Sequence, residues 1–262
     1  MSYALVGGAA FLAALATFFS GFGLGTLLLP VFLLFLPAEV AVAATAIVHL
    51  ANNLFKAVLV GRNADWRVAV RFCVPAVILS GMGALLLVRL STLSPIANYS
   101  IFGRTFSITL IKVVIAALLA FFSMMEVSSR LAKVSFSARF IPLGGALSGF
   151  FGGLSGHQGA FRSAFLLRAG LSKEVFIGTG ILCALAVDFA RLSVYAATFL
   201  VRGLSSLKSD GEVGLIAVGC VCAFLGSLLG ARLLPQVTLR TIRILVGFLL
   251  FGIALALAAG WI

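Results

Sequence analysis

A chain of 262 residues that is 62% apolar and only 10% charged is not an ordinary soluble domain, where about 25% of residues are charged. A net charge of +12 would point to nucleic acid in a soluble protein. Here the basic residues sit between long apolar runs, so they report membrane orientation and an anionic solute, and no nucleic-acid partner is expected.

The first run, segment 1, is Ala4 to Leu36. Its 32-residue stretch from Leu5 to Leu36 holds no charge, and about 20 residues suffice to span a bilayer. No basic region or cleavage site precedes it, so no removed leader is expected. Near its centre lies Ser20-Gly21-Phe22-Gly23-Leu24-Gly25-Thr26. Glycine costs about 1 kcal/mol inside a helix, so three within five residues should break this one. Broken backbone at membrane depth persists where it lines a cavity, and half-helix N-termini there suit anions.

Segment 2 runs from Val40 to Val60 and segment 3 from Val68 to Val88, where Pro75 is expected to kink the helix. A polar connection follows, then segment 4 from Phe106 to Met125. The loop 126–139 separates a first repeat, 1–125, from a second, 140–262. Segment 5, Phe140 to Leu167, carries a second break at Gly152-Gly153-Leu154-Ser155-Gly156-His157-Gln158-Gly159. The competing reading of these glycines is close packing, since Gly145, Gly149 and Gly153 follow the Gly-x-x-x-Gly spacing. Segment 6 is Val175 to Val201; a polar loop with Lys208, Asp210 and Glu212 follows. Segments 7 and 8 are Val213 to Leu234 and Ile242 to Ile262. The four cysteines lie in apolar segments without ligand spacing, so they read as inert buried thiols; no metal site or cofactor is expected.

The halves repeat in order. Ser20-Gly21 matches Gly152-Gly153, and Glu39-Val40 matches Glu174-Val175. Asn53 and Lys56 match Asp188 and Arg191, and Gly83-Ala84-Leu85-Leu86 matches Gly226-Ser227-Leu228-Leu229. If all eight segments crossed once, the basic residues between and near them would divide evenly, against the usual cytoplasmic excess. If segments 1 and 5 instead return to the side they enter, one side holds Arg62, Arg67, Arg71, Arg130, Lys133, Arg139, Arg168, Lys173, Arg232, Arg240 and Arg243. The other holds only Arg89, Arg104, Lys112, Arg202 and Lys208. A continuous 32-residue helix would also be roughly 48 Å long, too long for a core of about 30 Å. The expected fold is therefore all-α and polytopic: two inverted repeats of about four helical segments, each with a broken, re-entrant first helix. Both termini would be periplasmic and the 126–139 loop cytoplasmic.

Buried charge marks the candidate site. Thr45, His49, Asn52, Asn53 and Lys56 form one stripe on segment 2; Asp188, Arg191 and Tyr195 form another on segment 6. The stripes should face each other beside the two breaks. Ser155, Gly156, His157 and Gln158 lie in the second break, with Arg162 on the half-helix leaving it. Lys56, Arg162, Arg191 and Asp188 sum to +2, which suits a small anion. The bland alternatives are that Asp188 and Arg191 merely neutralise each other, that Lys56 reaches the interface, and that His49 is a hydrogen-bonded core histidine.

The stretch Phe19 to Pro30, then Glu39-Val40-Ala41-Val42-Ala43-Ala44-Thr45, their echo in the second half, and Asp65-Trp66-Arg67 resemble the TauE/SafE family of sulfite exporters, also called DUF81. Gly156-His157-Gln158-Gly159 and Arg162 depart from the plainer glycine run of that family. The resemblance implies a secondary transporter in the inner membrane that exports sulfite or organosulfonate-type anions. Its expected site comprises Ser20, Gly21, Gly23, Gly25, Thr26, His49, Asn52, Asn53, Lys56, Ser155, Gly156, His157, Gln158, Arg162, Asp188 and Arg191. Asp188 or a histidine offers a route for coupled protons, and a homodimer is compatible with the reading. An anion channel, or a transporter of a different small anion, would share the site. An enzyme is disfavoured, because no His-x-x-x-His, paired acids or nucleophile–base constellation is present.

Overall fold

The computed structural model describes residues 2–17, 24–128, 134–202, 210–233 and 239–262. Among them are ten α-helices: α1 (Ser2–Ala16), α2 (Leu24–Leu33), α3 (Ala38–Val60), α4 (Trp66–Ser91), α5 (Leu110–Val127), α6 (Ile141–Ser155), α7 (Gly159–Leu166), α8 (Lys173–Arg202), α9 (Asp210–Leu233) and α10 (Leu239–Ala258). Five of these, α3, α4, α5, α8 and α9, are long and apolar enough to cross a membrane. The chain is an all-α, multi-pass membrane protein.

Segments 1 and 5 are each two short helices. The glycine stretch 18–23 lies outside the described residues, but α1 stops at Ala16 and α2 starts at Leu24 on either side of it. At 15 residues, α1 is roughly 22 Å long, short of a full span. In segment 5 the break is at Gly156, whose φ of 82° is a left-handed conformation that costs other residues about 1–2 kcal/mol. Its N–H bonds the Gly152 carbonyl at 2.9 Å and ends α6. The chain then folds back. Phe136, before α6, donates to the Ala164 carbonyl near the end of α7 at 3.1 Å and stacks on Phe165.

The Gly-x-x-x-Gly spacing works as packing in α6. A methyl group at Gly145, Gly149 or Gly153 would lie 2.1, 2.1 and 2.0 Å from the carbonyl oxygens of Phe72, Ala76 and Ser80 on α4. Three successive turns of α6 thus touch the α4 backbone, as small-residue seams in membranes do. The two readings of the glycines divide by position: 145, 149 and 153 pack, and 156 breaks the helix. Gly226 on α9 plays the matching part against the Phe11 carbonyl of α1.

Helix directions follow from cross-contacts. Helices α4 and α8 run the same way, since the Asp65 amide donates to Thr179 Oγ1 (2.9 Å) and Ser80 Oγ to the Val187 carbonyl (3.0 Å). Helices α3 and α9 also run the same way, with Val48 against Gly219 and Asn52 bonded to Ser227. Helices α3 and α8 oppose each other: His49 meets Asp188, while the 3-10 turn after α3 (Gly61–Asn63) packs near the start of α8. Helices α5 and α10 oppose too, through Ser123 to Gly247 and Lys112 to Gly260. Exchanging the two halves of the chain maps these pairings onto themselves: α1–α9 becomes α6–α4, α3–α9 becomes α8–α4, and α3–α8 and α5–α10 are unchanged.

Two expectations are corrected. Segment 4 does not begin at Phe106. The polar connection is an antiparallel hairpin, β1 (Ala97–Ile101) and β2 (Arg104–Ile108), turned at Phe102-Gly103, and α5 starts only after Thr109, whose hydroxyl accepts the Lys112 amide. Tyr99 pins the hairpin by stacking on Phe106 and donating to the Ala259 carbonyl beyond α10. Asp210 and Glu212 lie in the first turn of α9 rather than a loop. Helix α4 continues through Pro75, and its N-terminus is capped by Asp65, whose Oδ1 accepts the Val68 amide at 3.0 Å. The loop residues Arg130, Lys133 and Lys208 lie outside the described residues.

Candidate functional site

The two polar stripes meet. Asp188, on α8 and 0% exposed, is the hub. Its Oδ1 accepts from Arg191 Nε (3.0 Å) and Nη2 (2.6 Å) and from Gln158 Nε2 (2.8 Å). Its Oδ2 accepts from His49 Nδ1 (2.6 Å) and Asn53 Nδ2 (3.3 Å). One carboxylate therefore ties α3, the α6–α7 break and α8 into a single knot. Burying an ion is tolerated only with such complete pairing.

Arg191 is equally committed. Besides Asp188, it donates from Nη1 to the Gly152 carbonyl at 3.2 Å, and Tyr195 donates to the Gly153 carbonyl. These carbonyls lie at the C-terminal end of α6, where a cation is favourable. Arg191 thus serves the frame of the second break. Gln158 is held from both ends: its carbonyl accepts from Ser148 Oγ (2.7 Å), and its Oε1 accepts from Arg162 Nη1 (3.0 Å).

The breaks lie against each other. A methyl group at Gly25, in the first turn of α2, would lie 3.3 Å from the Gly156 carbonyl and 3.8 Å from His49 Cδ2 and Thr45 Cγ2. Thr26 is buried beside it. Ser155 donates to the Phe151 carbonyl (3.1 Å) and, through Oγ and its carbonyl, faces His157 Nδ1 at 3.1 Å. The His157 ring stacks on Phe122 of α5 at 4.5 Å and 9°, and Phe151 and Phe161 close the other sides of Phe122.

Lys56 does not reach the interface. It is 5% exposed, and α3 continues beyond it through apolar residues to Val60. Arg162 is also buried, within electrostatic range of Lys56 and Asp188. Asn52 turns away from Asp188 toward α9, where its Oδ1 accepts from Ser227 Oγ at 2.7 Å. Its Nδ2 and the Nε2 of His157 are buried without a hydrogen-bond partner among the described residues. Ser20, Gly21 and Gly23 lie outside the described residues. Ser148, Ser227 and Phe122 were not singled out in the sequence. Ser227 had a signal, as part of the repeated Gly226-Ser227-Leu228-Leu229, whereas Phe122 had none among its apolar neighbours. No group of three His, Cys, Asp or Glu able to hold a metal occurs among the described residues, and all four cysteines are free thiols.

The site is thus a buried knot of donors around one acid, placed where two helix breaks touch, with more positive than negative charge. Buried ionisable groups inside a membrane protein mark solute pathways. No curated protein and no solved structure matches the chain. The sequence profile described as "Sulfite exporter TauE/SafE" matches residues 6–257. The chain belongs to the TauE/SafE family of sulfite exporters, a family of membrane transporters of small sulfur-containing anions.

Proposed function

We propose that this protein is a secondary transporter that exports sulfite or organosulfonate-type anions by alternating access, holding the anion between the two helix breaks. The observation that carries this reading is the contact between the breaks, where Gly25 abuts the Gly156 carbonyl beside His49. Three buried cations (Lys56, Arg162 and Arg191) against one buried acid, Asp188, give that place an excess of positive charge. Arg191 and Asp188 frame the site, and the remaining donors face the solute.

Inverted repeats support alternating access, because two halves related by a pseudo-two-fold can rock about a central site. The pairing of helices supports the inverted arrangement. Single crossings throughout would make α3 and α8 parallel, α5 and α10 parallel, and α3 and α9 antiparallel; each contact set runs the other way. We place both termini and the loop around Lys208 in the periplasm and the loops around Arg130 and Arg240 in the cytoplasm of the inner membrane.

The test is flux in proteoliposomes with a panel of oxyanions: sulfite, sulfoacetate, sulfate, phosphate and nitrate. Saturable sulfite or sulfonate flux supports the proposal. Flux that rises linearly with concentration and collapses any applied anion gradient points to a channel through the same site. No flux for any sulfur oxyanion overturns it.

A further inference from the structure

The chain has two histidines, and both are at the breaks. Each has its Nδ1 engaged by a group that can only accept a proton. For His49 the partner is the Asp188 carboxylate, which also accepts two N–H groups of Arg191. Asn53 Nδ2 lies 3.0 Å from the same Nδ1. Two donors cannot share one hydrogen bond, so the His49 N–H donates to Asp188, and Asn53 donates to the carboxylate as well. For His157 the partner is the Ser155 carbonyl, with the Ser155 hydroxyl beside it. The proton of each neutral ring therefore sits on Nδ1, and each Nε2 is left as a bare lone pair.

That conclusion has a chemical consequence. A fully deprotonated anion offers only lone pairs of its own and cannot satisfy an unprotonated Nε2. The Nε2 of His157 is buried without a partner among the described residues, which is costly for a polar atom. The His49 ring edge carrying Cδ2, the neighbour of Nε2, faces Gly25 at the first break. Both lone pairs become anion ligands on gaining a proton, which forms an N–H bond and a charge-assisted hydrogen bond to an anionic oxygen.

We infer that the anion crosses together with a proton, which sits on Nε2 of His49 or His157 while the anion is bound. This rests on the transport reading above and names its coupling. The proton comes from water or from the O–H of a protonated anion; that O–H bond breaks as the N–H bond forms, and the transfer reverses on release. The charged groups facing His49 are Asp188 and Arg191 of α8 and Arg162 of α7; Lys56 lies about two turns along its own helix. Arg191 is the charged group facing His157, whose other face is covered by the non-titrating Phe122. These groups already give the site an excess of positive charge, and the added proton raises it by one.

The substitutions that test this follow from which nitrogen each amide replaces. In His→Gln the amide nitrogen falls near Nε2 and donates without titrating. In His→Asn it falls near Nδ1, so the tie to Asp188 or Ser155 is kept while the Nε2 position is emptied. Sulfite-induced thermal stabilisation of the full chain in detergent would be measured across pH for wild type, His49→Gln, His157→Gln, His49→Asn and His157→Asn. The ratio of wild-type to Gln-variant affinity cancels the titration of sulfite itself. It should change about tenfold per pH unit over the range where one proton is taken up for at least one histidine. The matching Asn variant should bind about 10- to 100-fold more weakly. In proteoliposomes with an internal pH dye, wild-type sulfite flux should carry protons in the same direction, above protein-free vesicles. Ratios flat with pH for both histidines, Asn variants that bind like wild type, or sulfite flux without proton movement would each overturn the inference. Absence of sulfite binding and flux in wild type would instead overturn the transport reading itself. The proton-flux measurement needs no variant, so a misfolded substitution does not protect the inference.

Discussion

Replacing Asp188 by Asn tests the knot at its centre. The change is nearly isosteric, so packing is kept and only the charge and acceptor capacity are lost. Asp188 accepts five N–H groups, two of them from Arg191 at 2.6 and 3.0 Å. Asn offers one carbonyl oxygen in place of a carboxylate and puts an NH2 against donors. It also leaves the Arg191 guanidinium buried without a counter-charge. Breaking one side of a buried pair costs about 3–5 kcal/mol. Arg191→Gln should cost about as much, since it strands Asp188 as an unpaired buried charge. The double variant Asp188→Asn with Arg191→Gln removes both charges. It should be no more destabilised than either single variant, because no unpaired charge remains buried. The assay is a double-mutant cycle of unfolding free energy in mixed micelles, with anion flux measured on the same preparations. Folding should return in the double variant and transport should not. A single Asp188→Asn variant within about 1 kcal/mol of wild type would refute the reasoning, because an ionised buried hub could not be lost so cheaply. Wild-type flux in the double variant would show the pair to be dispensable to transport.

The glycines should separate by role. Gly149→Ala drives a methyl group to within 2.1 Å of the Ala76 carbonyl, so α4 and α6 must part, and detergent melting should fall by an amount equivalent to about 1–3 kcal/mol. Gly25→Ala meets the Gly156 carbonyl at 3.3 Å without a left-handed backbone, so it should melt like wild type and lose sulfite-induced stabilisation. Gly156→Ala combines both effects: the φ of 82° costs about 1–2 kcal/mol and the methyl sits 3.1 Å from Arg191 Nη1, so stability and anion response should fall together. Single cysteines at Ser128 and Lys208 in a cysteine-free background should label from opposite sides of the membrane, and labelling from one side would end the inverted topology.

Much of this protein was legible in its residues because the signals are local. Long uncharged runs set the spans, Gly156 set the break, and the spacing of Gly145, Gly149 and Gly153 marked the seam to α4. The match of Asn53 and Lys56 with Asp188 and Arg191 even indicated that α3 and α8 should face each other. The hairpin at 97–108 was missed for a reason of scale: two five-residue strands are marginal alone, and Tyr99 holds them through Ala259, 160 positions away.

Tertiary structure decided what each polar side chain is for. Nothing in the order of residues says that Arg191 will turn its third donor to Gly152, or that Gln158 will bridge Arg162 and Asp188. Asn52 and Asn53 are neighbours in sequence, yet one bonds Ser227 on α9 and the other Asp188 on α8. Adjacent helical residues point about 100° apart, so the packing of α3 between two helices separates their roles. The sequence determined that charge would be buried and roughly where along each helix. Which of those charges are spent on one another, and which nitrogen lone pairs are left over, is set by the approach of elements more than 100 residues apart, because hydrogen bonds reach only about 3 Å.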